Sequence, residues 1–487
     1  MPPTGYLTIT GIRSAMQHVA TTYPDLAEMV ELPERSHENR RIYAIKVAKG
    51  AGGDRRGVLL LGGVHARELI NPDLLVSLAL RLCEAYTSGS ALVFGGKTFQ
   101  ASTVKLIVEA LDLWMIPLVN PDGRRYVQRA GGDPWWRKNR NPNPGEPCMG
   151  VDLNRNCDFL WSSGIGTSTD SCSQVFRGSA AFSEPETRNV RHVLDAYPNI
   201  GFMIDVHSYS ELILFPWGDD DNQTADPSMT FTNASYDGLR GTPGDSVYRE
   251  YIDAGDLDWY VRTGASMRDA ITAVRGRTYT VKQSVLLYPT TGTTKDYAYS
   301  RHVVDTGRRK VFAYTVETGT EFQPAYSEAL QVIDEGSAGL LQFCLAAICA
   351  VETVVAGTAM AARLDTMRAF RDEHMVRTKA GRRYLSLLQR HSAELLQLVA
   401  DDDLRAAVVD AMGPVVESLD ATGKPLDPRV VKAVDKVADR VEKRAGRDLR
   451  GALSQLRGEL RAAEGKSVLD LLGPELERRR EQAEAGD

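Results

Sequence analysis

The chain has 487 residues, 43% of them hydrophobic and 25% charged, with a formal net charge of −6. That length exceeds one ordinary hydrophobic core and predicts two domains of a globular protein. The acidic balance excludes general nucleic-acid binding, which calls for a basic face.

Met1-Pro2-Pro3-Thr4-Gly5-Tyr6 has no basic segment followed by an apolar run, so no secretory signal is read and a cytoplasmic location is expected. The closest approach to a membrane span, Leu340 to Leu364, is interrupted by Gln342 and Glu352. A buried helix is expected there, and no membrane partner. The six cysteines (Cys83, Cys148, Cys157, Cys172, Cys344, Cys349) are too few for a disulfide framework, and no Cys-x-x-Cys pair suggests a thiolate zinc site.

In chain order, Gly11 to Tyr23 predicts a helix, with Ile12, Met16, Val19 and Ala20 on one face and Pro24 beyond it. Arg41 to Ala48 alternates as a strand, and the apolar run Val58 to Leu61 predicts a strand covered on both faces. A helix follows from Asn71 to about Ala85, another from Ser102 to Ala110, then a strand over Leu111 to Ile116. Asn120-Pro121-Asp122-Gly123 predicts a tight turn. Residues 131–183 lack periodicity, and so long an irregular stretch inside a domain points to function. Glu184 to Ala196 is a helix, Gly201 to Val206 a strand, and Leu212 to Trp217 extended. A polar loop (218–244), a helix from about Asp256 to Val274, a loop from Tyr288 to Tyr299 and a strand from Val311 to Val316 complete the alternation.

Strands alternating with helices predict an α/β sheet with helices on both faces, binding ligands beyond the carboxyl ends of its strands. Just past Val58–Leu61 stands Gly62-Gly63-Val64-His65-Ala66-Arg67-Glu68. An imidazole and a carboxylate three residues apart can share one cation, and a catalytic zinc takes three protein ligands and keeps one position open. His-x-x-Glu alone arises often by chance, and a strand-end histidine is commonly just a hydrogen-bonding residue. His207 follows a second predicted strand and Glu317 ends a third. By position and chemistry, His207 is the expected third ligand.

Six ordered fragments together resemble the zinc metallocarboxypeptidases of the pancreatic carboxypeptidase A/B type. They are the His65 stretch, Asn120-Pro121-Asp122-Gly123, Trp136-Arg137-Lys138, Gly150-Val151-Asp152-Leu153-Asn154-Arg155-Asn156, Asp205-Val206-His207-Ser208-Tyr209-Ser210 and Val316-Glu317-Thr318-Gly319. The resemblance covers roughly Gly5 to Ala356 and implies a mixed, mostly parallel sheet of about eight strands with helices on both sides. It implies one Zn2+ held by His65, Glu68 and His207, with Asp152 hydrogen-bonded to a ligand histidine; an N-cap or turn aspartate is the alternative for Asp152. It implies Glu317 as general base and Arg137 as the stabiliser of the oxyanion. Asn154 and Arg155 fall at the position that binds the substrate's terminal carboxylate, Tyr288 at the mobile tyrosine, and Arg67, Ser208 and Tyr209 at contacts upstream of the cleaved bond.

The sequence also departs from the pancreatic enzymes. Pro134 stands where they often have a second arginine, and Cys157 replaces a tryptophan. Their inhibitory pro-segment is not read at the N-terminus. Cys148 and Cys172 fall where secreted relatives have a disulfide, in tension with a reducing cytoplasm, and the bond is left open. At the position that sets preference the chain has Lys295, which would pair with a C-terminal Glu or Asp; alternatively it turns to solvent or pairs with Asp296.

The resemblance gives out near Ala356, predicting a catalytic domain over 1–356, closed by an apolar helix from Ala338, and a helical domain over 357–487. Val430, Val434, Val437, Val441, Ala445, Leu449, Leu453, Leu456 and Leu460 recur at steps of three and four, as on one long helix. Leu385, Leu388, Leu395 and Leu398 do so earlier, and Gly423-Lys424-Pro425 separates the two. This extension reads as a hairpin or small bundle, either self-contained or a surface for self-association or a partner. The expected function is hydrolysis of the C-terminal amide bond of a peptide or peptide-like substrate. The alternatives are a cell-wall or other non-protein amide as substrate, and a non-catalytic binding protein.

Overall fold

The structure, a computed structural model, describes residues 5–50, 55–348, 350–355, 358–375, 377–399, 401–463 and 465–473. Cys349 and the expected boundary at Ala356 and Gly357 lie outside them. The chain divides into two compact units, one within Met1–Asp253 and Thr263–Ala347, the other within Ala254–Arg262 and Ile348–Asp487.

The first unit is built on an eight-stranded sheet. Its strands are β1 (Ala27–Glu31), β2 (Tyr43–Val47), β3 (Arg56–Leu61), β4 (Leu111–Ile116), β5 (Ile200–His207), β6 (Leu212–Phe215), β7 (Thr280–Gln283) and β8 (Phe312–Glu317). They lie in the order β1-β2-β4-β3-β5-β8-β6-β7. The run β4-β3-β5-β8 and the pair β6-β7 are parallel, and the other pairings are antiparallel. The expected mixed, mostly parallel sheet is the one observed. β3 and β5 occupy its middle, and β5 is buried along its whole length, as continuous apolar runs require.

The helices of this unit are α1 (Ile9–Thr22), α2 (Ile70–Ser88), α3 (Ala101–Ala110), α4 (Pro121–Gln128), α5 (Pro185–Ala196), α6 (Ala254–Arg275, whose first turns belong to the second unit), α7 (Thr294–Val304) and α8 (Tyr326–Ala347). Four differences from the sequence reading have local causes. The edge strand β1, carrying Glu28 and Glu31 on a short apolar stretch, is not signalled by periodicity. Asn120 begins a helix, not a free turn: its side chain accepts from the Gly123 amide at 2.9 Å, and Pro121 occupies the first helical position. Asn, Pro and Asp favour turns and helix starts alike, so composition does not separate the two. The loop expected to Tyr299 gives way to α7 at Thr294, because Thr293 accepts from the Asp296 amide and donates to its carboxylate. The apolar helix expected from Ala338 begins twelve residues earlier, at Tyr326, and ends at Ala347. No helix among the described residues is long and apolar enough to cross a membrane.

The second unit contains α9 (Ala350–Val355), α10 (Leu364–Phe370), α11 (Lys379–Leu398), α12 (Asp402–Leu419), α13 (Pro428–Glu442), α14 (Arg447–Ala462) and α15 (Val468–Leu472). The single long helix expected through Val430 and Leu460 is two helices. α13 ends at Glu442 and α14 restarts after Gly446, a residue that costs a helix interior about 1 kcal/mol relative to alanine. Folding back lets Val430, Val441, Ala445 and Leu449 of the apolar stripe be buried. Gly423-Lys424-Pro425 falls between α12 and α13, as expected.

Candidate active site

The site forms where β3, β5 and β8 end side by side. The chain leaves β3 through Gly62 and Gly63, and Gly63 holds φ +62°, where a Cβ would come within 2.9 Å of Leu118. Buried Asn120 braces this turn, donating to the carbonyls of Val64 and Lys138, each at 3.1 Å. One amide thereby ties the segment carrying His65 to the one carrying Arg137.

His65, Glu68 and His207 are all buried. The two Nδ1 atoms are 3.0 Å apart, and Glu68 reaches His65 Nδ1 at 2.7 Å with Oε1 and His207 Nδ1 at 3.0 Å with Oε2. Two ring nitrogens and a carboxylate closing on one point suit a cation and no single proton. Burial opposes ionisation of Glu68, but the two imidazoles override it and hold its carboxyl low. Desolvation works against the charged His207 ring, and the Asp205 and Glu68 carboxylates more than offset it. Zinc chemistry therefore fits these residues.

Behind His65, Asp152 Oδ1 lies 3.1 Å from its Nε2, and the other Asp152 oxygen accepts from Arg137 at 2.8 and 3.1 Å. Against the penalty of burial, Arg137 holds Asp152 well below the usual carboxylate range. Asp152 also caps a short 3-10 turn, accepting from the Asn154 amide at 3.0 Å, so both sequence readings of it describe the same side chain. Glu317 pairs with His207 in the sheet register and keeps part of its surface open. Burial pushes its carboxyl up to about 8, with His207 opposing and Glu68 adding to the rise. Arg155 is buried and donates to the Gly166 carbonyl at 2.9 Å and the Asn154 carbonyl at 2.7 Å.

Residues 12–338 match the zinc carboxypeptidase family, over more than half of the chain. The chain belongs to that family. It is 32% identical to carboxypeptidase B of Astacus astacus over 317 residues, which cover 64% of this chain and 86% of that protein. It is 29% identical to carboxypeptidase A4 of Mus musculus over 316 residues, 64% of this chain and 63% of that one, so less than two thirds of the mouse protein is spanned. In fold it is similar to the thrombin activatable fibrinolysis inhibitor, with TM-score 0.55, 22% identity and coverage of 70% of this chain and 73% of that one. The carboxypeptidase A of Helicoverpa armigera gives TM-score 0.54 at 24% identity, with the same coverage.

Within this zinc carboxypeptidase fold, Gly292 (φ +70°) lies so close to the Arg155 carbonyl that a Cβ would stand 2.3 Å from its oxygen. That approach seats the start of α7 beside Arg155, and the Thr294 amide donates to Asn154 Oδ1 at 3.0 Å. Lys295 is buried and its ammonium is paired with Asp296, the arrangement set in the sequence reading as an alternative to pairing with an acidic substrate side chain. Burial lowers its pKa, and Asp296 and then Asp219 oppose the fall. Tyr288 stands half exposed on the loop before α7, within electrostatic reach of Arg137. Tyr209 is exposed with its ring 4.8 Å from Phe322, and the Arg67 guanidinium lies 4.2 Å from the same ring. Ser208 is buried, with its amide on Glu68 at 3.2 Å and its hydroxyl without a hydrogen-bond partner.

Cys148 and Cys172 are joined, closing a 24-residue separation that contains Asp152, Asn154 and Arg155. Cys157 is buried as a free thiol whose pKa burial raises well above the ordinary value. Sequence reasoning missed Phe322 and Asp205. Phe322 carries no motif. Asp205 did carry a signal: it precedes His207 by two on one strand and therefore shares its face. Its Oδ2 is 3.0 Å from His207 Nε2.

A second group, His37, Glu184 and Glu186, also has ligand atoms in mutual reach. There Glu184 already accepts from His37, Asn139, Asn141 and Ser183, so its role is to tie α5 to the segment around Asn139.

Proposed function

We propose that this chain is a zinc-dependent carboxypeptidase that hydrolyses the C-terminal amide bond of peptides, with His65, Glu68 and His207 as the metal ligands. The observation that carries the reading is the meeting of three strand ends, which brings those buried ligands beside Glu317, with Arg137 placed 3.3 Å from His65 Nδ1. Bound zinc supplies Lewis acidity, lowering the pKa of a water and polarising the scissile carbonyl. Glu317 takes a proton from the attacking water and delivers it to the leaving nitrogen, which departs as an amine. Arg137, held by Asp152, offers N–H groups to the oxygen on which charge develops. Arg155, with Asn154 beside it, binds the terminal carboxylate, since a guanidinium matches a carboxylate through two parallel hydrogen bonds. Tyr288 closes over the bound end, and Arg67, Ser208 and Tyr209 face the upstream residues.

A preference for C-terminal Glu or Asp follows from Lys295. Asp296 takes one of the three donors of its ammonium, leaving two for a substrate carboxylate in a buried setting. Digestion of a peptide library by the zinc-loaded protein, read by mass spectrometry against a chelated control, tests both statements. Loss of single C-terminal residues is expected, fastest from peptides ending in Glu. Faster release of Phe or Lys overturns the preference. Failure on every linear peptide, with release from peptidoglycan fragments, replaces the peptide substrate by a cell-wall amide.

A further inference from the structure

A continuous line of contacts runs behind the cation site and joins its two histidines. His65 Nε2 meets Asp152 Oδ1 at 3.1 Å, and the same oxygen accepts the Asn154 amide at 3.0 Å. Asn154 Oδ1 accepts the Thr294 amide at 3.0 Å, and the Thr294 hydroxyl donates to Asp205 Oδ2. Asp205 Oδ2 lies 3.0 Å from His207 Nε2, which closes the line. All six side chains are buried.

The last contact differs from the first. Alignment at His207 Nε2 falls short of a hydrogen bond, and Asp205 Oδ1 has no hydrogen-bond partner. A carboxylate buried without full pairing is costly, so Asp205 calls for a task. The task is written in the ring that its Oδ2 faces. When His207 presents the Nδ1 lone pair to a cation, the hydrogen resides on Nε2, and Asp205 is the carboxylate within reach to accept it.

We propose that Asp205 and Thr294 are positioning residues for His207: Thr294 holds the Asp205 carboxylate, and Asp205 fixes the orientation of the ring so that Nδ1 faces the cation. This rests on the zinc reading above. It extends that reading, because Thr294 also grips Asn154 and immediately precedes Lys295. The segment that reads the end of the substrate is thereby fastened to a metal ligand.

The test is the rate at which zinc leaves the full-length, zinc-loaded protein for a chromophoric chelator, measured well below the unfolding temperature, together with the visible spectrum of the cobalt-substituted protein. Asp205→Ala is expected to release zinc roughly 10–100-fold faster and to alter the cobalt spectrum. Asp205→Asn, which keeps an acceptor oxygen, is expected to restore most of the retention. Thr294→Val is expected to accelerate release by about 3–10-fold, and Thr294→Ser to behave as wild type. If Asp205→Ala does not fold, Asp205→Asn and Thr294→Val carry the test, since both nearly preserve volume. Wild-type release from folded Asp205→Ala and Thr294→Val, with one zinc held by the parent protein, overturns the positioning role and leaves the zinc reading intact. Failure of the parent protein to hold one zinc overturns the reading beneath it.

Discussion

Glu317 and His207 stand opposite each other as the final pair of the parallel strands β8 and β5. The sheet register thus sets the separation between the proposed base and a proposed metal ligand, and no loop has to be ordered to bring them together. Hydrogen-bonded strands are among the most rigid supports a protein offers, as a reaction sensitive to small displacements requires.

Replacing Glu317 by Gln keeps the shape and removes the base. The variant is expected to bind zinc stoichiometrically, by elemental analysis, while kcat falls about 10²–10⁴-fold. Undiminished turnover would refute the assigned role.

Arg155 should act on binding of the free C-terminus. Arg155→Ala is expected to lower kcat/KM about 10–100-fold on peptides with a free terminal carboxylate, a loss of charge-assisted hydrogen bonding of about 1.5–3 kcal/mol. C-terminally amidated versions should lose much less. An equal loss on both would show that Arg155 only supports the fold.

Burial beside Glu184 pushes the Glu186 carboxyl up to about 8, so the folded protein keeps this group protonated where the unfolded chain does not. For a folded pKa raised above the unfolded one, the associated stability is present below about 4.5 and is lost as pH rises through 8. Glu186→Gln should therefore unfold like wild type near pH 4 and be more stable at pH 9, by on the order of 1–3 kcal/mol. Denaturant titrations at the two pH values decide it, and a variant equally or less stable at pH 9 contradicts the account.

Reduction of Cys148–Cys172 frees a loop that carries Asp152, Asn154 and Arg155. Thiol treatment, or the Cys148→Ser/Cys172→Ser pair, is expected to cost about 2–4 kcal/mol of stability. It should also raise KM more than it lowers kcat. Unchanged melting and unchanged KM would mean that hydrogen bonds alone hold the loop.

Much of the catalytic unit was legible in the residues. Val58–Leu61, Leu111–Ile116 and Gly201–Val206 are strands covered on both faces, and apolar content announces such strands directly. The compact spacing of His65 and Glu68, and the position of His207 and Glu317 at strand ends, follow from local order along the chain. Capping was harder to read, because Asn120 and Thr293 use side chains that serve turns and helix starts equally. The edge strand β1 had too few apolar residues to declare itself.

What the sequence determined by itself was therefore the family, the α/β alternation and the identity of the residues at the strand ends, because these depend on neighbours a few positions apart. Which strands lie side by side was decided by tertiary structure alone. Only the order β3-β5-β8 brings His65, His207 and Glu317 into contact across 252 positions of chain. The pairing of Lys295 with Asp296, the reach of Asp205 to His207 and the grip of Thr294 on both Asn154 and Asp205 also came from packing. Buried charges take their partners from whatever the fold places within about 3 Å, and sequence distance carries no trace of that.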